Sequence, residues 1–354
     1  MIRTFLLPAC LAAAPAFADA PRVATDILPV HGLVSRVMAG VGVPDLVVPA
    51  DASPHGHAMR PSEAAALEAA DVVVWIGPAL TPWLDGALDT LAADAQRVTL
   101  LDLDGTALRA FGDDHDDHDH EAASDPHGHE DHGDHAGHDD HADHDADHED
   151  HSDHKDHDHD AHGHAASAEG HGSHDDHGHD HAGGVDPHAW LDPVNGKLWL
   201  AQIADVLATV DPENAATYRA NATAGQAELT AVEVEIETLL APLRGRGFLT
   251  FHDAYGYFEA RFDVPSSGSI RLGDATSPGA AHVAELRDRV ASEGIVCLFS
   301  EPQFDPGLAA TVAEGNGVRL AVLDPTGAAQ APGPQQYPAL LRALAQNMAD
   351  CLAP

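Results

Sequence analysis

"RPSEAAALEAADVVVWIGPALTPWLDGALDTLAADAQRVTLLDL", residues 60–103, holds the architecture in miniature. "DVVVWIG" (71–77) and "RVTLLDL" (97–103) are short apolar runs rich in Val, the mark of strands buried on both faces. "RPSEAAALEAA" and "TPWLDGALDTLAA" each open with Pro beside Ser or Thr and continue in helix-forming residues. Helix and strand alternating in this way require a parallel sheet with helices on its faces.

The same grammar extends outward. Upstream, "RVATDILPV" (22–30) and "DLVVPA" (45–50) read as two more strands of this sheet. Far downstream, "GFLTFHD" (247–253), "GIVCLFSE" (294–301) and "VRLAVLD" (318–324) read as strands, with "PGAAHVAELRDRVASE" and "DPGLAATVAEGN" as helices between them. This is a second α/β lobe. From Pro212 to Leu243 the pattern changes. Tyr218, Ala222, Leu229, Val232, Ile236, Leu239 and Leu243 recur at helical spacing, with Gly225 in the gap. One long, rigid, amphipathic helix is expected there, joining the lobes and limiting their relative movement. The expected plan is a first lobe over 19–211, a linking helix over 212–243 and a second lobe over 244–354.

The first lobe carries an insertion of a different kind. The chain has a net charge of −41 and 28 His, and 22 of those His fall between Asp113 and His181 together with 25 acids and one Lys. Residues 138–164 read "HDDHADHDADHEDHSDHKDHDHDAHGH", without Leu, Ile, Val or an aromatic residue. Such a segment cannot bury enough apolar surface to offset its ordering entropy, so a disordered loop is expected over 113–184. The charge argues against nucleic acid or an anionic membrane as partner and suits a cation.

The first residues, "MIRTFLLPACLAAAPAFADAPRVATD", show Arg3, an apolar run from Phe5 to Ala14, and "AFA" ending at Ala18. They read as a signal peptide over 1–18, which implies export. "LPAC" faintly resembles a lipoprotein box, but the apolar run before it is too short. Cleavage leaves Cys297 and Cys351. In an oxidising compartment these predict one disulfide, tying down the C-terminal segment.

Six His remain outside the insertion. His55 and His57 lie in "SPHGHAMRPSE", a turn after a predicted strand. His188 lies in "DPHAWLDP", between two Asp-Pro turns. His252 lies in "FHDAYGYFE", and Glu301 and Asp324 also close predicted strands. Ligands of open α/β sheets bind at the carboxyl ends of the strands. If the lobes face each other, these residues converge. Three imidazoles and one carboxylate suit tetrahedral Zn²⁺, whereas Mn²⁺ draws in more oxygen ligands. His31 near the first strand is a further candidate for the cleft wall. His282, on a helix rich in Glu and Arg, reads as a surface residue.

Taken in order, "SPHGHAMRPSE", "DPHAWLDP", "FHDAYGYFE", "SEPQF" and "LDP" resemble the zinc-binding periplasmic substrate-binding proteins of bacterial ABC transporters (the ZnuA type, cluster A-I, solute-binding protein family 9). The resemblance extends over the mature chain and includes the acidic His-rich insertion and the late cysteine pair. It implies two α/β lobes joined by one long helix, with metal in the cleft. Carried over motif by motif, the ligands are His55, His188 and His252. Asp324 matches the carboxylate that completes the site in many relatives, while zinc-specific members use another acid or a water. His57 matches a position that is often not a ligand, and Glu301 reads as a support.

The expected function is capture of Zn²⁺ in the periplasm and delivery to a membrane permease, by a monomer that is not an enzyme. The insertion is expected to collect several ions weakly, since each must order flexible chain. Two alternatives are a periplasmic zinc buffer and a zinc hydrolase or lyase. The latter lacks H-E-x-x-H, and a fourth carboxylate ligand would close the position catalysis needs.

Overall fold

The computed structural model describes residues 20–110, 184–271 and 278–354. The expected signal segment, 1–18, and the expected insertion, 113–184 apart from Gly184, lie outside these residues.

The first lobe runs β1 (Val23–Thr25), α1 (Leu28–Val37), β2 (Asp45–Leu46), α2 (Pro61–Ala69), β3 (Val72–Trp75), α3 (Pro82–Leu91) and β4 (Gln96–Thr99). Its sheet has the order β2-β1-β3-β4 and is parallel throughout. After α4 (Pro193–Val210) and α5 (Ala215–Leu240) come β5 (Phe248–His252), α6 (Gly256–Phe262), β6 (Ser269–Arg271), α7 (Ala280–Ser292), β7 (Cys297–Ser300), α8 (Gly307–Ala313), β8 (Arg319–Val322) and α9 (Gln336–Leu352). The second sheet has the matching order β6-β5-β7-β8, again parallel.

Several elements differ from the sequence expectation. The strand read over 22–30 stops at Thr25. Asp26 then accepts hydrogen bonds from Ile27 N and Ile76 N, both at 2.8 Å, and Pro29 lies in the first turn of α1. With these bonds made the chain leaves the sheet, and α1 begins after Ile27 without a side-chain cap. The strand read over 97–103 ends at Thr99, and Leu100–Asp102 form a 3-10 turn. Helices α1, α4, α6 and α9 and the strand β6 were not foreseen. For α4 the signal was present: Asp192 caps Val194 N at 2.8 Å and Pro193 follows it.

The long helix spans 26 residues, about 39 Å at 1.5 Å per residue. Its buried stripe is Tyr218, Ala222, Gly225, Leu229, Val232, Ile236 and Leu240. Leu239 and Leu243, expected on the stripe, pack only at its margin. Gly225 is not a weak point. A Cβ there would stand 2.8 Å from Leu200 Cδ1 and 3.1 Å from Arg36 Cγ, so glycine lets α1 and α4 approach α5 closely.

One large hydrophobic cluster runs through both lobes, beside a smaller one in each. It includes Val23 and Val72 of the first sheet, Trp199 and Leu229 of α4 and α5, Phe248 and Phe299 of the second sheet, and Leu340 and Met348 of α9. Helix α9 packs on α5 and reaches α1. Its Tyr337 Oη donates to Trp190 O at 2.6 Å, and Trp190 Nε1 donates to Pro325 O at 2.7 Å. Cys297 of β7 and Cys351 of α9 form a disulfide. A helix, a shared core and these bonds bridge the lobes. Among the described residues, no helix is long and apolar enough to cross a membrane.

Candidate metal centre

Three short local structures bring histidines to the carboxyl ends of the two sheets. After β2, Pro54–Gly56 form a 3-10 turn that carries His55. Trp83 Nε1 donates to Pro54 O at 2.7 Å and pins this turn to α3. His57, two residues on, is directed elsewhere: its Nε2 donates to Glu63 Oε2 at 2.8 Å and its ring meets Trp83 edge-on at 5.6 Å.

His188 precedes a 3-10 turn over Ala189–Leu191. Asp186 Oδ1 accepts from both His188 N (2.9 Å) and His188 Nδ1 (2.7 Å). Asp186 O in turn accepts from Tyr257 Oη at 2.9 Å, which ties the segment to α6. His252 is the last residue of β5, and its Nδ1 donates to Glu301 Oε1 at 2.7 Å, just past the end of β7. In both cases a buried carboxylate holds Nδ1. That fixes the ring orientation and tautomer and leaves Nε2 as the metal-ligating nitrogen.

His55, His188 and His252 each offer a ligand atom, and these atoms lie within 4.8 Å of one another. The ring centroids are 5.4 Å (55–188), 6.3 Å (55–252) and 5.3 Å (188–252) apart. Tetrahedral zinc with Zn–N bonds of 2.0–2.1 Å needs nitrogens about 3.4 Å apart. The gap to close is therefore at most about 1.4 Å. His188 and His252 are buried, whereas His55 is half-buried. Trp190, Gln303, Phe304 and Thr326 also line the cleft.

Two buried acids, Asp186 and Glu301, stand behind the imidazoles. Burial, opposed by the hydrogen bond from His188 N and by nearby basic groups, pushes the Asp186 carboxyl up to about 7. A dication at the imidazoles would favour its ionised form. Burial, and then the charge of Glu301, raise the Tyr255 phenol well above its ordinary range, so it stays protonated.

The other expected site residues are placed differently. Asp324 lies outside the three-His group. Its Oδ1 accepts from Gly327 N (2.8 Å), Thr326 N (3.1 Å), Thr326 Oγ1 (3.1 Å) and Gln303 Nε2 (3.3 Å). His31 is a satisfied core residue: its Nε2 donates to Pro44 O at 3.1 Å, and burial lowers its pKa. His282 lies on α7, 3.6 Å from Glu285. Asp186 was missed, though its place two residues before His188 was a usable signal. Gln303 was missed too, and nothing in its local sequence marks it.

Matching parallel sheets joined by a long helix, with imidazoles gathered where the strand ends meet, define a two-lobed α/β binding protein. A family model described as "Zinc-uptake complex component A periplasmic" (ZnuA) matches residues 23–351, and the chain belongs to this family. The high-affinity zinc uptake system protein ZnuA of Paracoccus denitrificans (strain Pd 1222) is 43% identical over 343 residues, 96% of this chain and 94% of that protein. The protein of the same name from Brucella suis biovar 1 (strain 1330) is 43% identical over 333 residues, 94% of this chain and 91% of that protein. A crystal structure of ZnuA shares the fold, with a TM-score of 0.68 at 21% identity over 95% of this chain and 100% of that one.

Proposed function

We propose that this protein captures Zn²⁺ in the periplasm and delivers it to the permease of an ABC transporter, with His55, His188 and His252 as protein ligands. The observation that carries this reading is the convergence of three imidazoles, two of them with Nδ1 held by a buried carboxylate. An all-nitrogen set suits zinc better than the harder Mn²⁺ or Mg²⁺. The family description and the relatives' names, which refer to zinc uptake, support the transport role over a hydrolase or a free-standing buffer.

Capture follows from the chain's own groups. His188 and His252 stand ready in fixed orientation, so little ordering cost falls on them when the ion loses water. His55, on the half-buried turn, completes the grip. The acidic composition fits a monomer that binds neither nucleic acid nor an anionic membrane.

The insertion supplies the weaker, multi-ion collection. Chain on either side of it is already paired: Ala110 and Val185 form an antiparallel bridge, and Asp186 N donates to Arg109 O at 2.9 Å. The first lobe thus closes its own chain at Ala110 and Val185, on either side of the insertion. The division into a signal segment (1–18), first lobe, linking helix (212–243) and second lobe belongs to the same reading.

The test is calorimetric titration of the exported protein, and of a variant with residues 113–184 replaced by a short Gly/Ser linker, with Zn²⁺ and then Mn²⁺. The expected result is one tight Zn²⁺ event in both proteins, weaker for Mn²⁺, and multi-ion binding in the full chain alone. Loss of the tight event in the variant would move the site into the insertion and overturn the cleft assignment.

A further inference from the structure

Gln303 lines the same cleft as the three histidines. Its amide nitrogen is fully occupied, donating to Thr326 Oγ1 at 2.8 Å and to Asp324 Oδ1 at 3.3 Å. Both partners can accept, and Asp324 can only accept when ionised, so the amide's orientation is fixed by its neighbours. The amide oxygen is buried and has no hydrogen-bond partner among the described residues. A buried amide oxygen without a partner is costly, and in a binding cleft it points to a donor that arrives with the ligand.

We propose that Gln303 is a positioning residue for the fourth zinc ligand: its Oε1 accepts a hydrogen bond from a water that completes the tetrahedron with His55, His188 and His252. This rests on the three-His reading and deepens it. A zinc-bound water is a strong donor, because the ion polarises it. Asp324, instead of reaching the ion, anchors Gln303 and the 324–327 turn. The site thereby presents a neutral acceptor where a carboxylate would add an anionic oxygen ligand. That choice lowers the attraction for Mn²⁺, which favours oxygen-rich coordination.

The test uses Co²⁺ as a spectroscopic stand-in for Zn²⁺ in the full chain. Gln303→Met keeps the side-chain length and removes the acceptor. The double variant Gln303→Glu with Asp324→Asn restores an acceptor oxygen and keeps a donor–acceptor contact between the two positions. In wild type, Co²⁺ gives the intense visible absorption of a four-coordinate ion. Gln303→Met is expected to change the band pattern and to weaken Zn²⁺ roughly 10–100-fold in chelator competition, the range for groups that orient a ligand. The double variant is expected to regain Zn²⁺ affinity to within a few-fold and to bind Mn²⁺ more tightly than wild type. If Gln303→Met folds normally and leaves both the Co²⁺ spectrum and the Zn²⁺ affinity unchanged, the inference fails while the three-His site stands. If wild type itself gives no four-coordinate spectrum, the three-His reading fails with it.

Discussion

The two sheets share one strand order, β2-β1-β3-β4 and β6-β5-β7-β8, yet they use the same position for different chemistry. In the first sheet, the chain leaving β1 places Asp26, whose carboxylate takes the backbone N–H of Ile76 just past β3. In the second, β5 ends in His252, whose imidazole takes the Glu301 carboxylate just past β7. Both bonds join the central strand to the neighbour on the same side. One is a structural tie made with an acid; the other aims an imidazole into the cleft. Having spent its strand end on a tie, the first lobe presents its histidines from turns instead: His55 after β2 and His188 before α4. The lesson is that sheet topology supplies the address, and the residue at that address decides between fold and function.

The largest expected effect comes from the histidines themselves. His188→Ala or His252→Ala should each weaken tight Zn²⁺ binding by well over the roughly 10–100-fold expected for ligand-supporting groups. His55→Ala should act in the same direction. Chelator competition measures this, and a variant of His252 that binds like wild type would break the comparison between the two strand ends.

Next come the supporting carboxylates. Asp186→Asn and Glu301→Gln should each cost roughly 10–100-fold in Zn²⁺ affinity with the fold retained. Equal losses would mean that the nearby partner (two residues from His188) and the remote one (49 residues from His252) do the same work. A silent Glu301→Gln would show that β5 alone orients its histidine.

A smaller effect belongs to Asp26. Burial, against the bonds from Ile76 and Ile27, pushes its carboxyl up to about 7. Between about pH 4 and 7 the folded state therefore keeps a proton that the unfolded chain has lost. The stability Asp26 contributes is present at the acid end of that window and is lost as pH rises through it, by at most about 1.4 kcal/mol per pH unit. Denaturant titrations of metal-free protein across this range should show that slope, and Asp26→Asn should reduce it. Zn²⁺ affinity should not follow, since Asp26 is a tie and not a ligand.

The smallest effect is expected at His57. Its ring is committed to Glu63 and Trp83, so His57→Ala should change Zn²⁺ affinity by less than about twofold, against the far larger loss at His55. The reverse result would overturn the choice within the His-Gly-His turn.

Much of this protein was legible in one dimension because the deciding interactions are local. Val-rich runs between helices that open with Pro announced parallel strands, and helical spacing from Tyr218 to Ile236 announced the linker. The Pro-His-Gly-His and Asp-Pro-His turns marked two of the three gathered histidines, and the Phe-His-Asp strand end marked the third. The misread strand at 22–30 has a mixed cause, since Asp26 accepts from its neighbour Ile27 N and also from Ile76 N, 50 residues away. Only the tertiary structure decided the rest. Glu301 meets His252 because β5 and β7 are neighbours in the sheet, a fact that no spacing encodes. Asp324 Oδ1 accepts from the backbone of its own loop and from Gln303, partners that no spacing encodes. The lobes share a core because α9 crosses from the second sheet to α5 and α1. Hydrogen-bond caps and periodicity act over a few residues and can be read along a chain. Which strand ends become neighbours, and which polar atoms are left facing a cleft, is settled only when distant segments compete for the same buried space.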